Sequence, residues 1–321
     1  MLPRAAVADS PADAAPGLRW DDSPCPLCTA ADDEPLFEAA DPTPTPGETA
    51  RRFLVVRCKQ CRLVYTNPRP DADEIHRFYP ADYRPHRPRK HTHARKPHPF
   101  ERLLGRPTAE RRGALPWPGV GRMLDFGCGG GSFLKRMADE GWAVTGLDNS
   151  PAAVRAVTKD LNLRAFVGSL PHPELTPGSF EVITMWHSLE HVHDPLAVLR
   201  EAYHLLVPGG RLVVACPNID SWAFRRYAES WFGLDLPRHL THFTPTTLGM
   251  MLQTAGLRVL ETRGVRHSDW LRASARMAAG TPLADWLDKL FLWKPAAKLA
   301  AWLAYTMGQS DCMLAVAERP A

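Results

Sequence analysis

Two groups of residues in the 321-residue chain have the types and spacing to do chemistry. The first is a double pair of cysteines, Cys25-x-x-Cys28 and Cys58-x-x-Cys61, with 29 residues between the pairs. Paired thiolates of this kind suit tetrahedral Zn2+, and an all-cysteine set leaves no coordination position for a reacting group, so the metal is expected to be structural. The gap is longer than the roughly 15–20 residues of common ribbons, and the Pro-rich stretch DPTPTPGE inside it is expected to bulge out. The plainer reading is two unrelated reduced pairs, or a redox pair. The second group is LDFGCGGGSF at residues 124–133, an apolar run entering a loop built on Gly127, Gly129, Gly130 and Gly131. Such a loop lets a ligand lie against bare backbone; dinucleotides, phosphates and S-adenosylmethionine are all held this way.

The neighbours of the loop separate these ligands. The dinucleotide fingerprint G-x-G-x-x-G needs a third glycine for close helix–strand packing, and Ser132 stands at that place. A phosphate loop needs Lys-Ser/Thr after the glycines, and GSFL lacks it. Asp125, two residues ahead of Gly127, would repel a pyrophosphate but suits a ligand with an ammonium group. Asp148 ends the next apolar run, WAVTGLD, where its carboxylate can accept from two ribose hydroxyls. Asp148 alone is shared with NAD sites. The set Asp125, Gly127, Gly129, Gly131 and Asp148 points to S-adenosylmethionine, with Cys128 a small filler whose backbone belongs to the loop.

The elements that must carry these residues alternate between strand and helix. GRMLDFG, WAVTGLD, LRAFVG, FEVITMW, RLVVACP, LRVLETRGV and CMLAVAE read as strands. SFLKRMADEG, SPAAVRAVTKDL, DPLAVLREAYHLL and TPTTLGMMLQTAG read as helices, three of them with a Ser, Asp or Thr cap followed by proline. The third is expected to stop at PGG. This alternation predicts a doubly wound, mostly parallel α/β sheet, whose ligands sit at the carboxyl ends of the strands. Four parts follow along the chain: a disordered tail at 1–20, a zinc-ribbon-like four-cysteine unit at 21–70, a helical and basic connector at 71–117, and the α/β domain at 118–321 with a helical insertion at about 268–308.

On these residues the chain resembles the class I S-adenosylmethionine-dependent methyltransferases. LDFGCGGGSF matches their D/E-x-G-x-G-x-G motif and VTGLDNS their ribose-binding acidic tip. FEVITMWHSLEHVHDPLAVLREAYHLLVPGGRLVV and PRHLTHFTPTTLGMMLQTAGL are similar to their later segments. The resemblance covers about residues 119–263 plus the last strand. It implies a seven-stranded Rossmann-like sheet with a reversed last strand pair. It also implies that Asp125 and the 127–131 backbone hold the methionyl end, that Asp148 holds the ribose, and that Asn149 lies near the adenine. Many members carry an acidic residue after strand three for the adenine amine; this chain reads VGSLP, so Ser169 or backbone groups would serve. Several sugar methyltransferases and related biosynthetic enzymes resemble the larger plan of a four-cysteine zinc unit, then a stretch like NPRPDADEIHRFY, then this fold. The sugar C-methyltransferases have a further large C-terminal domain that is not found in this sequence, which weakens a transfer of their substrate.

Methyl transfer to an oxygen, nitrogen or acidic carbon requires positioning of the acceptor and removal of a proton. His239 and His187 are the leading catalytic or substrate-contacting candidates, and His187 is also expected near the cofactor; the plainer reading of each is a packing histidine. Glu190 and His191 are expected to shape the loop and contact the cofactor. The acceptor is expected to be a small molecule, sugar or lipid precursor, methylated on oxygen or carbon. One alternative is an RNA or protein methyltransferase that uses the zinc unit for recognition. The other is a non-catalytic zinc-scaffolded binding protein.

Charge argues against nucleic acid. The net charge is +4, but residues 84–112 hold ten Lys/Arg against two Glu, so the remainder is net acidic; a nucleic-acid binder needs a continuous basic face. The basic connector suits an anionic acceptor or is simply solvated. No apolar run suggests a signal sequence or a membrane span, and seven cysteines, an odd number, fit a reducing cytoplasmic setting. Residues 282–307 interleave Trp and Leu with lysines; packing onto the domain, a lid on the acceptor pocket, a dimer face and membrane-surface contact are all open readings.

Overall fold

The computed structural model describes residues 18–44, 51–79, 120–279 and 286–321. The basic connector, most of the tail and part of the Pro-rich stretch lie outside the described residues. The main sheet has seven strands: β6 (Arg122–Phe126), β7 (Ala143–Asp148), β8 (Arg164–Val167), β9 (Phe180–Trp186), β10 (Leu206–Pro217), β12 (Arg258–Val265) and β13 (Cys312–Glu318). Their spatial order is β12-β13-β10-β9-β6-β7-β8. β13 runs antiparallel to both its neighbours, while β10, β9, β6, β7 and β8 are parallel. This is the expected sheet with its reversed strand. The central strands are buried on both faces and therefore read as continuous apolar runs rather than alternating ones.

Among the described residues, five α-helices lie between β6 and β12: α1 (Ser132–Asp139), α2 (Pro151–Arg155), α3 (Pro195–Leu205), α4 (Trp222–Tyr227) and α5 (Pro245–Thr254). The caps read from sequence are in place. Ser150 accepts from Ala153 N–H, Asp194 from Ala197 N–H, and Thr244 forms a reciprocal capping box with Thr247. Each such cap contributes about 1 kcal/mol. Two details differ from the sequence expectation. The helix after β7 becomes a π turn over Ala156–Asp160, and PGG does not end α3; β10 begins directly at Leu206 and takes PGG into a bulged start. The segment DADEIHRFY forms only a short 3-10 turn, Ile75–Phe78. Between β12 and β13 the chain folds α6 (Ser268–Ala278), α7 (Trp286–Leu292) and α8 (Lys294–Thr306).

The N-terminal strands are β1 (Trp20–Asp21), β2 (Asp33–Ala40), β3 (Arg52–Cys58), β4 (Val64–Thr66) and β5 (Arg69–Pro70). β2, β3 and β4 form an antiparallel sheet, and its fourth strand comes from far along the chain. β11 (Thr241–His242) pairs with β4, giving the order β11-β4-β3-β2. One hydrophobic cluster mixes Cys25, Leu27, Val56 and Leu63 with Leu124, Ile183 and Val214 of the main sheet. The small unit is thus built into the larger one.

Candidate functional site

The carboxyl ends of β6, β7 and β8 form one half of the site. Asp125, near the end of β6, is buried and accepts a 2.6 Å hydrogen bond from Thr184 Oγ1. Burial, with the nearby Asp148 charge, raises its carboxyl to about 7, and the Thr184 bond only partly offsets this. A cationic ligand group is therefore favoured beside it. Gly127 N–H donates to Leu147 O, Gly129 N–H to Asp148 Oδ2 and Ser150 N–H to Asp148 Oδ1. The tip of β7 thus holds the loop open. Gly127 has φ +75°, and a Cβ there would lie 2.5 Å from Ser188 Cβ; Gly131, at φ +74°, would bring a Cβ within 2.7 Å of Val157 and Leu161. Only glycine meets both demands. The Cys128 thiol is buried against Gly146, which fits a filler rather than a nucleophile. Asn149 is exposed just past Asp148, and Ser169, half-buried, follows β8 at the same edge.

The other half gathers histidines. His187 follows β9 with φ +53°, its N–H bonded to Ala215 O. Its Nδ1 lies 3.4 Å from Glu190 Oε1, and its Nε2 lies 3.9 Å from Cys312 Sγ. The ring centroid is 5.0 Å from Trp270 and 6.0 Å from His267. Phe232 packs against Trp270. Aromatic rings thus rim the one leading histidine that is partly open.

Glu190 is fully buried, and neither of its oxygens has a well-formed hydrogen bond. Burial alone would raise its carboxyl, but His187, His191 and His239 around it outweigh that and hold it below the ordinary value. His191 Nδ1 reaches Arg238 O at 3.0 Å, and His239 Nδ1 reaches Gly233 O at 2.9 Å. Carbonyls only accept, so both rings carry a proton on Nδ1. Burial, then the neighbouring His239, lowers His191 to about 4. Glu190, His191 and His239 offer ligand atoms within 4.8 Å of one another, as do His187, His267 and Cys312. His239 is buried at 7% exposure and less open to an acceptor than the sequence suggested.

The N-terminal unit supports these loops. Arg238 is completely buried, pairing with Asp41 and Asp235 at 2.8 Å each and donating to Phe78 O. Thr66 Oγ1 donates to His239 O, Thr66 N–H donates to Leu240 O, and Arg69 donates to His193 O. Tyr79 Oη contacts His191 Nδ1 at 3.1 Å. Apart from Asp235, these partners are far from the loops they hold in sequence, and no local pattern signals them.

The four cysteine sulfurs lie within 4.8 Å of one another, with Cys25–Cys61 at 3.4 Å and Cys28–Cys58 at 3.5 Å. Tetrahedral thiolates on Zn2+ sit about 3.8 Å apart. Burial pushes the Cys25 thiol up to about 11, a cost that a cation among the sulfurs reverses. Cys61 N–H points at Cys58 Sγ, as knuckle turns require. The donor set and geometry fit zinc.

The fold and glycine loop define a class I methyltransferase, and comparison with known proteins agrees. A family model described as a methyltransferase domain matches residues 74–262, more than half of the chain, and the chain belongs to that family. It is an S-adenosylmethionine-dependent methyltransferase. A ubiquinone biosynthesis O-methyltransferase of Xanthomonas campestris pv. campestris is 34% identical over a 179-residue alignment that covers 51% of this chain and 73% of that protein. One from Xylella fastidiosa is 28% identical over 228 residues, 66% of this chain and 87% of the relative. Among solved structures, an S-adenosylmethionine-dependent methyltransferase from Mesorhizobium loti aligns at 23% identity and TM-score 0.44, covering 65% of this chain and 95% of that one. Among the described residues, no helix is long and apolar enough to cross a membrane.

Proposed function

We propose that the protein methylates a hydroxyl oxygen of a small, aromatic or otherwise apolar acceptor bound beside His187. When bound, S-adenosylmethionine supplies a methyl group on a positively charged sulfur. The buried Asp125 carboxylate receives the ammonium group, the 127–131 backbone cradles the methionyl part, Asp148 accepts from the ribose hydroxyls, and Asn149 and Ser169 border the adenine. The four-cysteine set holds a structural Zn2+. The observation that carries the acceptor assignment is His187. It is half-open, rimmed by Trp270 and His267, and backed by the Glu190 carboxylate.

Glu190 lies 3.4 Å from Nδ1 and backs the ring, which leaves Nε2, on the Cys312 side, as the nitrogen through which His187 serves the acceptor. His239 and His191 flank Glu190 behind this contact. The relatives' printed names support oxygen as the methylated atom. The aromatic rim favours an apolar small molecule over a nucleic-acid or protein acceptor. The test is calorimetry with S-adenosylmethionine followed by labelled-methyl transfer to a panel of hydroxylated aromatics and sugars. His187→Ala should leave cofactor affinity within about twofold and lower turnover by roughly 100-fold or more. Equal turnover in wild type and variant would remove His187 from the chemistry.

A further inference from the structure

The groups around His187 match a second metal site of a kind different from the four-cysteine site. Three side chains from distant parts of the chain meet at the carboxyl end of the sheet. His187 follows β9, His267 precedes α6 two residues after β12, and Cys312 opens β13. One ligand atom from each lies within 4.8 Å of the others. Cys312 Sγ and His187 Nε2 are 3.9 Å apart, too far for a strong hydrogen bond. Two ligands of one tetrahedral Zn2+, with bonds of about 2.1 Å to nitrogen and 2.3 Å to sulfur, sit about 3.6 Å apart.

The mounting is rigid. Cys312 pairs with Pro217 on one side and Val265 on the other, so its position is fixed by two strands. His187 is held by the bond from its N–H to Ala215 O. A metal-bound histidine usually turns its remaining ring N–H toward a carboxylate, which orients the ring. Here Nδ1 faces Glu190, and Nε2 faces Cys312. Trp270, whose ring lies 4.9 Å from His267 and 5.0 Å from His187, shields the group on one side.

We propose that His187, His267 and Cys312 bind a divalent cation of the zinc class with one coordination position open to the acceptor. Nitrogen and sulfur donors select zinc over magnesium or calcium. Three protein ligands leave a fourth position, the pattern of catalytic rather than structural zinc. The proposal rests on the reading of this end of the sheet as the acceptor site and states how His187 serves it. The acceptor hydroxyl occupies the open position as a ligand. Its O–H bond breaks, with the proton passing to water. The oxygen lone pair forms the new O–CH3 bond while the S–CH3 bond breaks and returns the sulfur as a neutral thioether. His187 then acts through the ion.

The test is metal content and spectroscopy of the full-length protein purified under reducing conditions with zinc supplied. Wild type should carry two zinc ions per chain, and His267→Ala and Cys312→Ala one each, with circular dichroism and S-adenosylmethionine affinity unchanged. Because Cys312→Ala alters a buried strand, His267→Ala is the decisive variant. A Co2+ titration of wild type should give two thiolate charge-transfer steps of unequal intensity, and His267→Ala only the stronger step, from the four-cysteine site. A single zinc ion in wild type, or a second ion untouched by His267→Ala, overturns the proposal. Methyl transfer to a hydroxyl acceptor by protein with one ion would do so while leaving the proposed function intact. Two ions with no transfer to any hydroxyl acceptor would instead remove the proposed function and keep the site.

Discussion

The loops after β6 and β7 are tied to each other. Asp148 binds the N–H groups of Gly129 and Ser150, Gly127 binds Leu147 O, and all these residues lie within about two dozen positions of one another. The loops after β9 and before α5 are tied to something else. Their histidines hang from Arg238, Thr66, Arg69 and Tyr79; Thr66 and Arg69 belong to the N-terminal unit, Tyr79 follows it, and Arg238 is itself anchored to Asp41 of that unit. One half of the site is locally encoded. The other half is held by contacts from a separate sheet and the residues that follow it. The loops of the cofactor half are therefore closed mainly by contacts within their own segment, whereas the proposed acceptor half leans on contacts from the described part of residues 18–79.

The sharpest way to break this contrast is Arg238→Met. It leaves Asp41 and Asp235 buried without their cation, a loss of about 3–5 kcal/mol. Thermal unfolding should show a large drop in Tm. Cofactor affinity, measured below the transition, should stay within about twofold; a parallel loss of cofactor binding would mean that the two halves are not independent. Gly127→Ala probes the opposite half. With φ +75° and Ser188 Cβ 2.5 Å away, a methyl group forces strain of about 1–3 kcal/mol into the loop. Cofactor affinity should fall roughly 10–100-fold, while metal content, read by mass spectrometry, stays at the wild-type value.

A pH series sharpens the contrast further. Asp125 is raised to about 7, chiefly by burial. In the free protein its contribution to stability is present below the ordinary carboxyl value of 3.8 and is lost as pH rises through about 7. A cofactor ammonium group requires the ionised form. Affinity should therefore climb about tenfold per pH unit up to pH ~7 and level off above it, with close to one proton released per cofactor bound below that point. Calorimetry in buffers of different ionisation enthalpy checks this, and a flat profile would detach Asp125 from the ammonium. The smallest effect is expected for Thr66→Val. It removes the hydroxyl bond to His239 O, worth about 1 kcal/mol. Acceptor KM should rise several-fold with cofactor affinity unmoved; no change in KM would show that His239 is held by other contacts.

What was legible in the sequence follows the same division. The β6–loop–α1 unit, the Asp148 tip and the caps at Ser150, Asp194 and Thr244 depend on residues a few positions apart, so spacing revealed them. The pairing of Asp41 with Arg238 spans 197 positions, and that of His187 with Cys312 spans 125. No local pattern encodes such contacts. β11 is two residues long, too short for any periodicity, and its sequence, Thr-His, reads as loop. The four cysteines were legible as a set because CxxC is itself a local pattern. That the sheet they flank would take a strand from the loop before α5 was not, because that depends on which strand fills the edge beside β4.

That borrowed edge strand also sets an order of events at birth. β2, β3 and β4 leave the ribosome early, yet the outer edge of β4 has no partner until Thr241 and His242 emerge about 175 residues later. At typical synthesis rates that interval is on the order of ten seconds or more. Throughout it the nascent chain presents an open strand edge, the feature most prone to pairing with the wrong chain. The strand is only three residues long, which keeps that hazard small.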